Sequence, residues 1–327
     1  MGFRPLTNVL DAVLDKTIAP GYSRLGYQAR KLWWPADPEP GALAGKRVVV
    51  TGASSGLGAA TAAGVARLGA IVHLVGRSAG RLESAAAQIR DELPDAELVI
   101  DPCDLSDLDA VRTFAADLSK RVESVHALVH NAGLMPPSRT TTAQGHELTL
   151  ATHVLGPFLL TELLRDKLSA SDRSVVVWVS SGGMYAQPFT HELAQDLEFE
   201  HGEYSAGAAY ARTKRMQVIV AKMLSERLAG DGIYVHSMHP GWANTPGVQE
   251  SLPRFAKLTG PILRTAAQGA DTIVWLTAAP EATESTGDFW HDRHPRPITY
   301  LPSQVEEATD RQRLWDFCCE ATGVTPA

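Results

Sequence analysis

The sequence predicts an α/β fold, a single doubly wound parallel sheet with helices on both faces and a helical extension at the N-terminus. From Lys46 onward, short runs rich in β-branched residues alternate with helical runs, which is the pattern of repeated βα units. The first such run, at residues 48–50, passes through a turn of glycines and serines into a helix of small residues. With 327 residues, 44% of them hydrophobic, the chain can bury one large core.

The first 45 residues are predicted to be a helical extension followed by a linker. Apolar residues recur at helical spacing over residues 3–14, and prolines mark residues 35–40 as the linker. One interpretation is a pair of helices folded onto the main domain. The other is a peripheral membrane or partner contact, because a tryptophan pair at 33–34 lies beside a basic pair at 30–31. We favour the first.

The main domain is predicted to span residues 46–302, and residues 303–327 form a C-terminal helix and tail. Helices are expected at 79–93, ending before Pro94, and at 268–278 and 309–319, while the loop at 188–207 breaks the alternation. Strands are expected near residues 47–51, 71–75, 97–101, 125–130, 174–180 and 233–238, with a last short strand at 289–290.

The composition excludes several classes of protein. A formal net charge of -7 argues against a nucleic-acid-binding protein. The three cysteines, Cys103, Cys318 and Cys319, form no disulfide framework, so a reducing, cytoplasmic setting is expected. No cysteine or histidine cluster has the spacing of a metal site, and no apolar run approaches twenty residues.

The glycine turn after the first strand has the features of a phosphate-binding site. Its glycines let the backbone turn tightly and approach a pyrophosphate, and the following helix offers free N–H groups and the positive end of its dipole. Glycine turns of this kind also occur in βα units that bind nothing. The cofactor contacts predicted here are Gly52, Ser54, Ser55, Gly56, Leu57 and Gly58.

Two further strand ends favour a dinucleotide. Arg77 stands after the second strand where an acidic residue would bind a ribose 2′-hydroxyl, so NADP(H) is preferred and NAD(H) remains possible. A merely solvated arginine is the alternative. Asp104, followed by Leu105, is positioned to accept a hydrogen bond from an adenine amino group, although it could equally be a helix-start signal.

A second small-residue turn, Asn131-Ala132-Gly133, follows the fourth strand beside the expected cofactor path. Asn131 has a structural alternative, which is to hold two strands together through their backbone groups.

Tyr210 and Lys214 are the candidate acid/base pair. A spacing of four residues places them on one helical face, and the ammonium is expected to lower the pKa of the phenol towards neutrality. A phenol tuned in this way suits proton transfer in carbonyl/alcohol interconversion. The fifth strand ends at Ser180 and Ser181, where a hydroxyl could hold a substrate oxygen.

Taken together and in order, these motifs resemble those of the short-chain dehydrogenases/reductases over residues 46–302, within that family most closely its retinol-dehydrogenase-like branch. The Thr51–Gly58 turn resembles the family's TGxxxGxG motif, Asn131-Ala132-Gly133 its NAG motif, Tyr210 with Lys214 its YxxxK motif, and His239-Pro240-Gly241 with Thr245 its PG motif.

The resemblance implies a Rossmann fold and a role for each matching residue. Tyr210 would be the acid/base, and Lys214 would bind the nicotinamide ribose and tune the tyrosine. Ser181 would position the substrate oxygen, with Ser180 as the alternative. The loop carrying Pro240, Gly241 and Thr245 would lie against the nicotinamide. The family habit of pairing through helices near 143–168 and 208–229 implies a homodimer or homotetramer.

One position departs from the family pattern. His153 stands where many members carry an asparagine that kinks a helix and supports a water-mediated proton relay. An imidazole can also relay protons, but its charge depends on pH. The alternative is a packed helix residue, and both interpretations stay open. Pro157 is expected to bend this helix.

The expected function is NADP(H)-dependent oxidoreduction of a carbonyl/alcohol pair on an apolar, lipid-, retinoid- or steroid-like substrate. Residues 244–265, which include Pro246, Leu252, Phe255 and Leu258, are the expected substrate lid. The alternative is a weakly active or inactive dinucleotide-binding protein with a regulatory or assembly role, which the substitution at His153 favours.

Overall fold

The computed structural model describes residues 4–251 and 253–325, and Leu252 of the predicted lid, residues 1–3 and residues 326–327 lie outside the described residues. Within that part of the chain, eight strands form one sheet in the order β3-β2-β1-β4-β5-β6-β7-β8. The strands are β1 (Arg47–Thr51), β2 (Ile71–Gly76), β3 (Leu98–Pro102), β4 (Ala127–His130), β5 (Ser174–Val179), β6 (Ile233–Met238), β7 (Phe289–His291) and β8 (His294–Arg296).

Strands β1 to β7 are parallel, which confirms the doubly wound sheet. Strand β8 was not predicted and pairs antiparallel with β7. A two-residue turn joins them, and both of its residues, Asp292 and Arg293, have positive φ (52° and 54°). Residues with a Cβ rarely adopt positive φ, and most hairpin turns of this kind contain asparagine and glycine. Asp292-Arg293 lacks that sequence signal, so the hairpin was not recognised.

Helices cover both faces of the sheet. Two apolar clusters, one on each face, contain the buried valines of β1 pointing alternately up and down, as a buried parallel strand requires. The helices are α1 (Arg4–Lys16), α2 (Ile18–Tyr22), α3 (Arg24–Arg30), α4 (Gly56–Arg67), α5 (Ala79–Glu92), α6 (Leu108–Arg121), α7 (Leu148–Leu150), α8 (Gly156–Leu163), α9 (Arg165–Ser169), α10 (His191–Gln195), α11 (Ala206–Leu228), α12 (Pro246–Ser251), α13 (Pro253–Thr259), α14 (Ala266–Ala278) and α15 (Ala308–Thr322).

The long helix expected at 143–168 is interrupted. A π-helical turn, Ala151–Leu155, separates α7 from α8 and contains His153. Pro157 follows in the first turn of α8 and has no backbone N–H, so it could not have donated the hydrogen bond of a regular helix. Such widened turns bend helices and occur often at functional sites.

The predicted N-terminal extension folds back onto the main domain as three helices, α1 to α3. Tyr22 and Tyr27 are buried, and the Arg30 guanidinium forms an ion pair of 2.8 Å with Asp292 beyond β7. Contacts therefore cross the predicted boundary at residue 46. No helix in the described ranges is long and apolar enough to cross a membrane.

Helix α15 packs across the helices through which association was predicted. The Trp315 ring lies 5.1 Å from that of Phe158 on α8, and the Arg227 guanidinium of α11 lies 3.9 Å from the Trp315 ring centroid. Cys318 and Cys319 are buried in the same layer. Association as a homodimer or homotetramer stays a prediction, and α15 already covers part of α8 and α11 within the chain.

Candidate active site

A cleft with a cavity of about 940 Å³ runs along the carboxyl ends of the strands, where doubly wound sheets bind ligands. Most of the predicted residues form its wall, while Gly58 and His153 pack behind it. The predicted residues in the wall are Gly52, Ser54, Ser55, Gly56, Leu57, Arg77, Asp104, Leu105, Asn131, Ala132, Gly133, Ser181, Tyr210, Lys214, Pro240, Gly241 and Thr245.

The glycine turn has a backbone that only glycine adopts readily. Gly52 and Gly56 have φ of 67° and 56°, in the left-handed region. At Gly58 a Cβ would lie 2.2 Å from the Gly52 carbonyl oxygen, so a side chain there would push the turn apart. Helix α4 begins at Gly56 and directs its first N–H groups towards the cleft end of β1. These features fit a dinucleotide pyrophosphate.

Asn131 holds this turn against β4. Its side-chain amide donates to the Thr51 carbonyl at 2.9 Å, and its backbone N–H donates to the Thr51 hydroxyl at 3.0 Å. These contacts fit the alternative in which Asn131 holds two strands together through their backbone groups. Its neighbours Ala132 and Gly133 line the cleft beside it.

The end of the cleft beside β2 is basic. Arg77 lies in its wall as predicted, and Ser78 and Arg81 lie there too. Arg81 was missed, although its position in the first turn of α5, four residues after Arg77, was a usable signal. Asp104 also lines the cleft and accepts a hydrogen bond from the Ser106 backbone at 2.9 Å, whereas Asp107 caps helix α6.

The two serines after β5 have different surroundings. The Ser180 hydroxyl is buried and donates to the Lys214 carbonyl oxygen at 2.7 Å, so it ties the strand to α11. The Ser181 hydroxyl accepts from the Gly183 N–H at 3.1 Å, and Ser181 and Tyr210 both lie in the cleft wall beside Gly183. This geometry favours Ser181 over Ser180 as the group that meets a substrate.

Tyr210 and Lys214 do not form the expected phenol–ammonium contact in this arrangement. Lys214 Nζ lies 5.4 Å from the Tyr210 ring centroid and donates instead to the Val179 carbonyl at 2.9 Å. Burial raises the pKa of Tyr210 above its ordinary value, and the hydrogen bond with Ser181 opposes that rise. The predicted lowering of the Tyr210 pKa is therefore wrong for the chain alone, because burial disfavours the charged phenolate. Burial also lowers the pKa of Lys214 to about 7.

His153 is fully buried, and both of its ring nitrogens bond within the protein. Nε2 accepts from the Leu134 N–H at 3.0 Å, which requires the Nδ1-protonated tautomer, and Nδ1 lies 2.8 Å from the Thr213 hydroxyl. Burial holds the pKa of the imidazole well below its usual value. Both nitrogens are engaged within the protein, so of the two interpretations left open for His153 this arrangement supports the packed helix residue and does not support the proton relay.

Gln217 is a buried contact of Lys214 that the sequence reasoning missed. Its side-chain oxygen accepts from Lys214 Nζ at 3.0 Å, and its amide donates to the His153 carbonyl at 2.9 Å. Three residues beyond Lys214, it lies on the same face of α11, and that spacing was the available signal.

The end of the cleft beside the predicted lid is apolar. Trp242 and Phe255 line it and pack edge to face with centroids 5.1 Å apart, and Met135 lines it as well. Phe255 belongs to the predicted lid, which forms helices α12 and α13. Trp242 was missed, although it directly follows the predicted Gly241.

Comparisons with known proteins agree with this geometry. A family model described as short chain dehydrogenase matches residues 46–192. Dehydrogenase/reductase SDR family member 12 from Homo sapiens is 38% identical over 86% of this chain and 87% of its own. Retinol dehydrogenase 12 from Homo sapiens is 34% identical over 86% and 88%. A Beutenbergia cavernae crystal structure with NADP bound at low occupancy is 26% identical, with a TM-score of 0.62 over 77% of this chain and 96% of that one.

Proposed function

The chain belongs to the short-chain dehydrogenase family of oxidoreductases, and from this premise we propose that it interconverts a carbonyl and an alcohol on an apolar substrate with NADP(H) as cofactor. The observation that carries the proposal is the convergence of Ser181, Tyr210 and Lys214 on one cleft with the glycine turn. A bound nicotinamide dinucleotide would supply the hydride.

The chain's own groups would position the substrate and move the proton. In reduction, Ser181 would donate a hydrogen bond to the carbonyl oxygen, and Tyr210 would deliver its proton to the same oxygen. A phenol whose pKa is raised in the chain alone is fully protonated at neutral pH and so ready to donate. Lys214 would bind the nicotinamide ribose, and Gln217 would hold its amine in place.

The cleft's substrate end supports an apolar substrate of the lipid, retinoid or steroid kind. Trp242, Phe255 and Met135 offer aromatic and thioether surface there, which gains most from burying hydrocarbon. Retinol dehydrogenase 12 is among the relatives of this chain.

The preference for NADP(H) predicts a selective loss in Arg77→Ala. A guanidinium that binds the 2′-phosphate has no counterpart contact with NAD(H), so the variant should bind NADPH about 1 to 3 kcal/mol more weakly and NADH unchanged. Fluorescence titration of both nucleotides measures this difference. Arg67→Ala, on the exposed end of α4, is the matched control. Equal losses for NADPH and NADH would show that Arg77 does not read the phosphate.

The N-terminal extension supports a second proposal, contact with the surface of an anionic membrane. The carboxylate of Asp11 turns inward to pair with Arg30 at 2.8 Å and Arg296 at 2.5 Å. Val9, Leu10 and Val13 of α1 are exposed instead, and an outward apolar face with basic neighbours is typical of an interfacial helix. The exposed apolar residues of the extension are Val9, Leu10, Val13, Ile18, Leu25 and Leu32, and its exposed basic residues include Lys16, Arg24 and Lys31.

Vesicle flotation of the full chain tests this contact. The chain is expected to float with vesicles that contain phosphatidylglycerol and not with pure phosphatidylcholine, because basic side chains near the apolar face attract anionic lipid. The double variant Val9→Asp, Val13→Asp should stay in the dense fraction. Leu163→Asp, at an exposed apolar position of α8 outside the extension, should float like the parent chain. Equal flotation of all three proteins would remove the proposal.

A further inference from the structure

The loop at residues 239–242, between β6 and the lid, is held on both sides by other segments. The Trp242 N–H donates to the Tyr22 carbonyl at 2.8 Å, and the Trp242 carbonyl accepts from the Arg264 N–H at 2.8 Å. Pro240, Gly241 and Trp242 all line the cleft. The backbone of a cleft-lining turn therefore depends on a residue of the N-terminal extension, 220 positions away in sequence.

Arg264 links that extension to the loop through its side chain. The guanidinium is buried and donates to the carbonyls of Gly21 at 3.1 Å, Ser23 at 3.2 Å and Pro240 at 3.3 Å. Its charge is compensated by Asp292, at 2.5 Å. A planar guanidinium can make several directed hydrogen bonds at once, which a lysine cannot reproduce.

The Tyr22 ring fills the space between two loops of the cleft. Its centroid lies 4.5 Å from that of His239, at the start of the 239–242 loop. A Cβ added to Gly182, the residue after Ser181, would lie 2.6 Å from Tyr22 Cε2. The same ring thus packs against the loop after β5, which contains Ser181, and against the loop after β6.

We infer that Tyr22 and Arg264 are positioning residues, which hold the 239–242 loop in the shape that receives the nicotinamide half of the dinucleotide. The N-terminal extension is then a part of the active-site support. This inference rests on the proposed function for the identity of the ligand. The contacts hold the loop in place before any ligand binds. A loop that is already ordered loses less conformational entropy on binding, so these contacts would strengthen binding of the dinucleotide.

Paired binding measurements on the full chain separate this role from general stability. We would titrate NADPH and 2′,5′-ADP, which contains the adenosine half alone, into the parent chain and its variants by calorimetry. Tyr22→Ala should bind NADPH roughly tenfold or more weakly, since the loop must then be ordered on binding. Binding of 2′,5′-ADP should not change, because it does not reach the loop.

Two companion variants make the result decisive. Arg264→Lys keeps the charge opposite Asp292 and should give the same split, and it carries the test if Tyr22→Ala does not fold. Tyr22→Phe retains the ring and should bind NADPH and 2′,5′-ADP like the parent chain. Trp34→Ala, in the same extension but packed on Tyr27 and Arg293, should bind both compounds normally.

Parallel losses for both compounds, or unchanged NADPH binding in both Tyr22→Ala and Arg264→Lys, would overturn the inference. A parent chain that binds neither compound would instead overturn the proposed function, so the two failures are distinguishable.

Discussion

Replacing Tyr210 with phenylalanine is expected to lower kcat by roughly 10²- to 10⁴-fold, the usual contribution of a positioned general acid. The ring would still pack against His153, with centroids 5.5 Å apart in the parent chain, so the change removes the proton and little else. The measurement is NADPH oxidation against a panel of hydrophobic aldehydes and ketones. NADPH affinity, titrated separately, should stay close to that of the parent chain.

Tyr185→Phe is the matched control for Tyr210→Phe. The Tyr185 hydroxyl donates to the Pro297 carbonyl at 2.6 Å, outside the cleft, so its loss should leave turnover unchanged. If the parent chain and Tyr210→Phe convert every compound at the same rate, Tyr210 is not the acid/base group. Normal NADPH binding together with no turnover on any compound would favour the alternative of a dinucleotide-binding protein with a regulatory role.

The parallel strands and the glycine turn in the cleft wall could be predicted because their signals are local. A buried strand is a short β-branched run, and glycines at 52, 56 and 58 are needed by the turn that contains them. Tyr210 and Lys214 follow from one helical spacing in the same way. Strand β8 was invisible because its turn uses Asp292 and Arg293 in a conformation that neither residue prefers.

Long-range contacts account for what was missed or wrong. Asp292 is held by Arg264 and Arg30, and Arg293 by Asp271 at 2.8 Å, so distant ion pairs stabilise the strained turn. No local pattern predicts such partners. The predicted shift of the Tyr210 pKa also had the wrong direction. Helical spacing identifies the neighbour of Tyr210 on the helix but not how deeply the phenol is buried.

Ser181→Ala is the second large effect that we expect, a fall in kcat of roughly 10²- to 10³-fold, typical of losing a hydrogen-bond donor to the reacting oxygen. The neighbouring serine provides the matched control. Ser180→Ala removes a buried hydroxyl that donates to the Lys214 carbonyl. It should therefore lower the thermal midpoint of unfolding, while kcat stays close to that of the parent chain.

The pair of serine variants also tests the geometry of the cleft, because both lie at the end of the same strand. If the substrate oxygen meets Ser181, the kinetic loss and the stability loss will fall on different serines. If kcat falls in Ser180→Ala and not in Ser181→Ala, Ser180 positions the substrate oxygen. The loop after β5 must then rearrange when ligands bind. Both variants retaining kcat would leave Tyr210 as the sole hydroxyl at the substrate oxygen, with no serine in the mechanism.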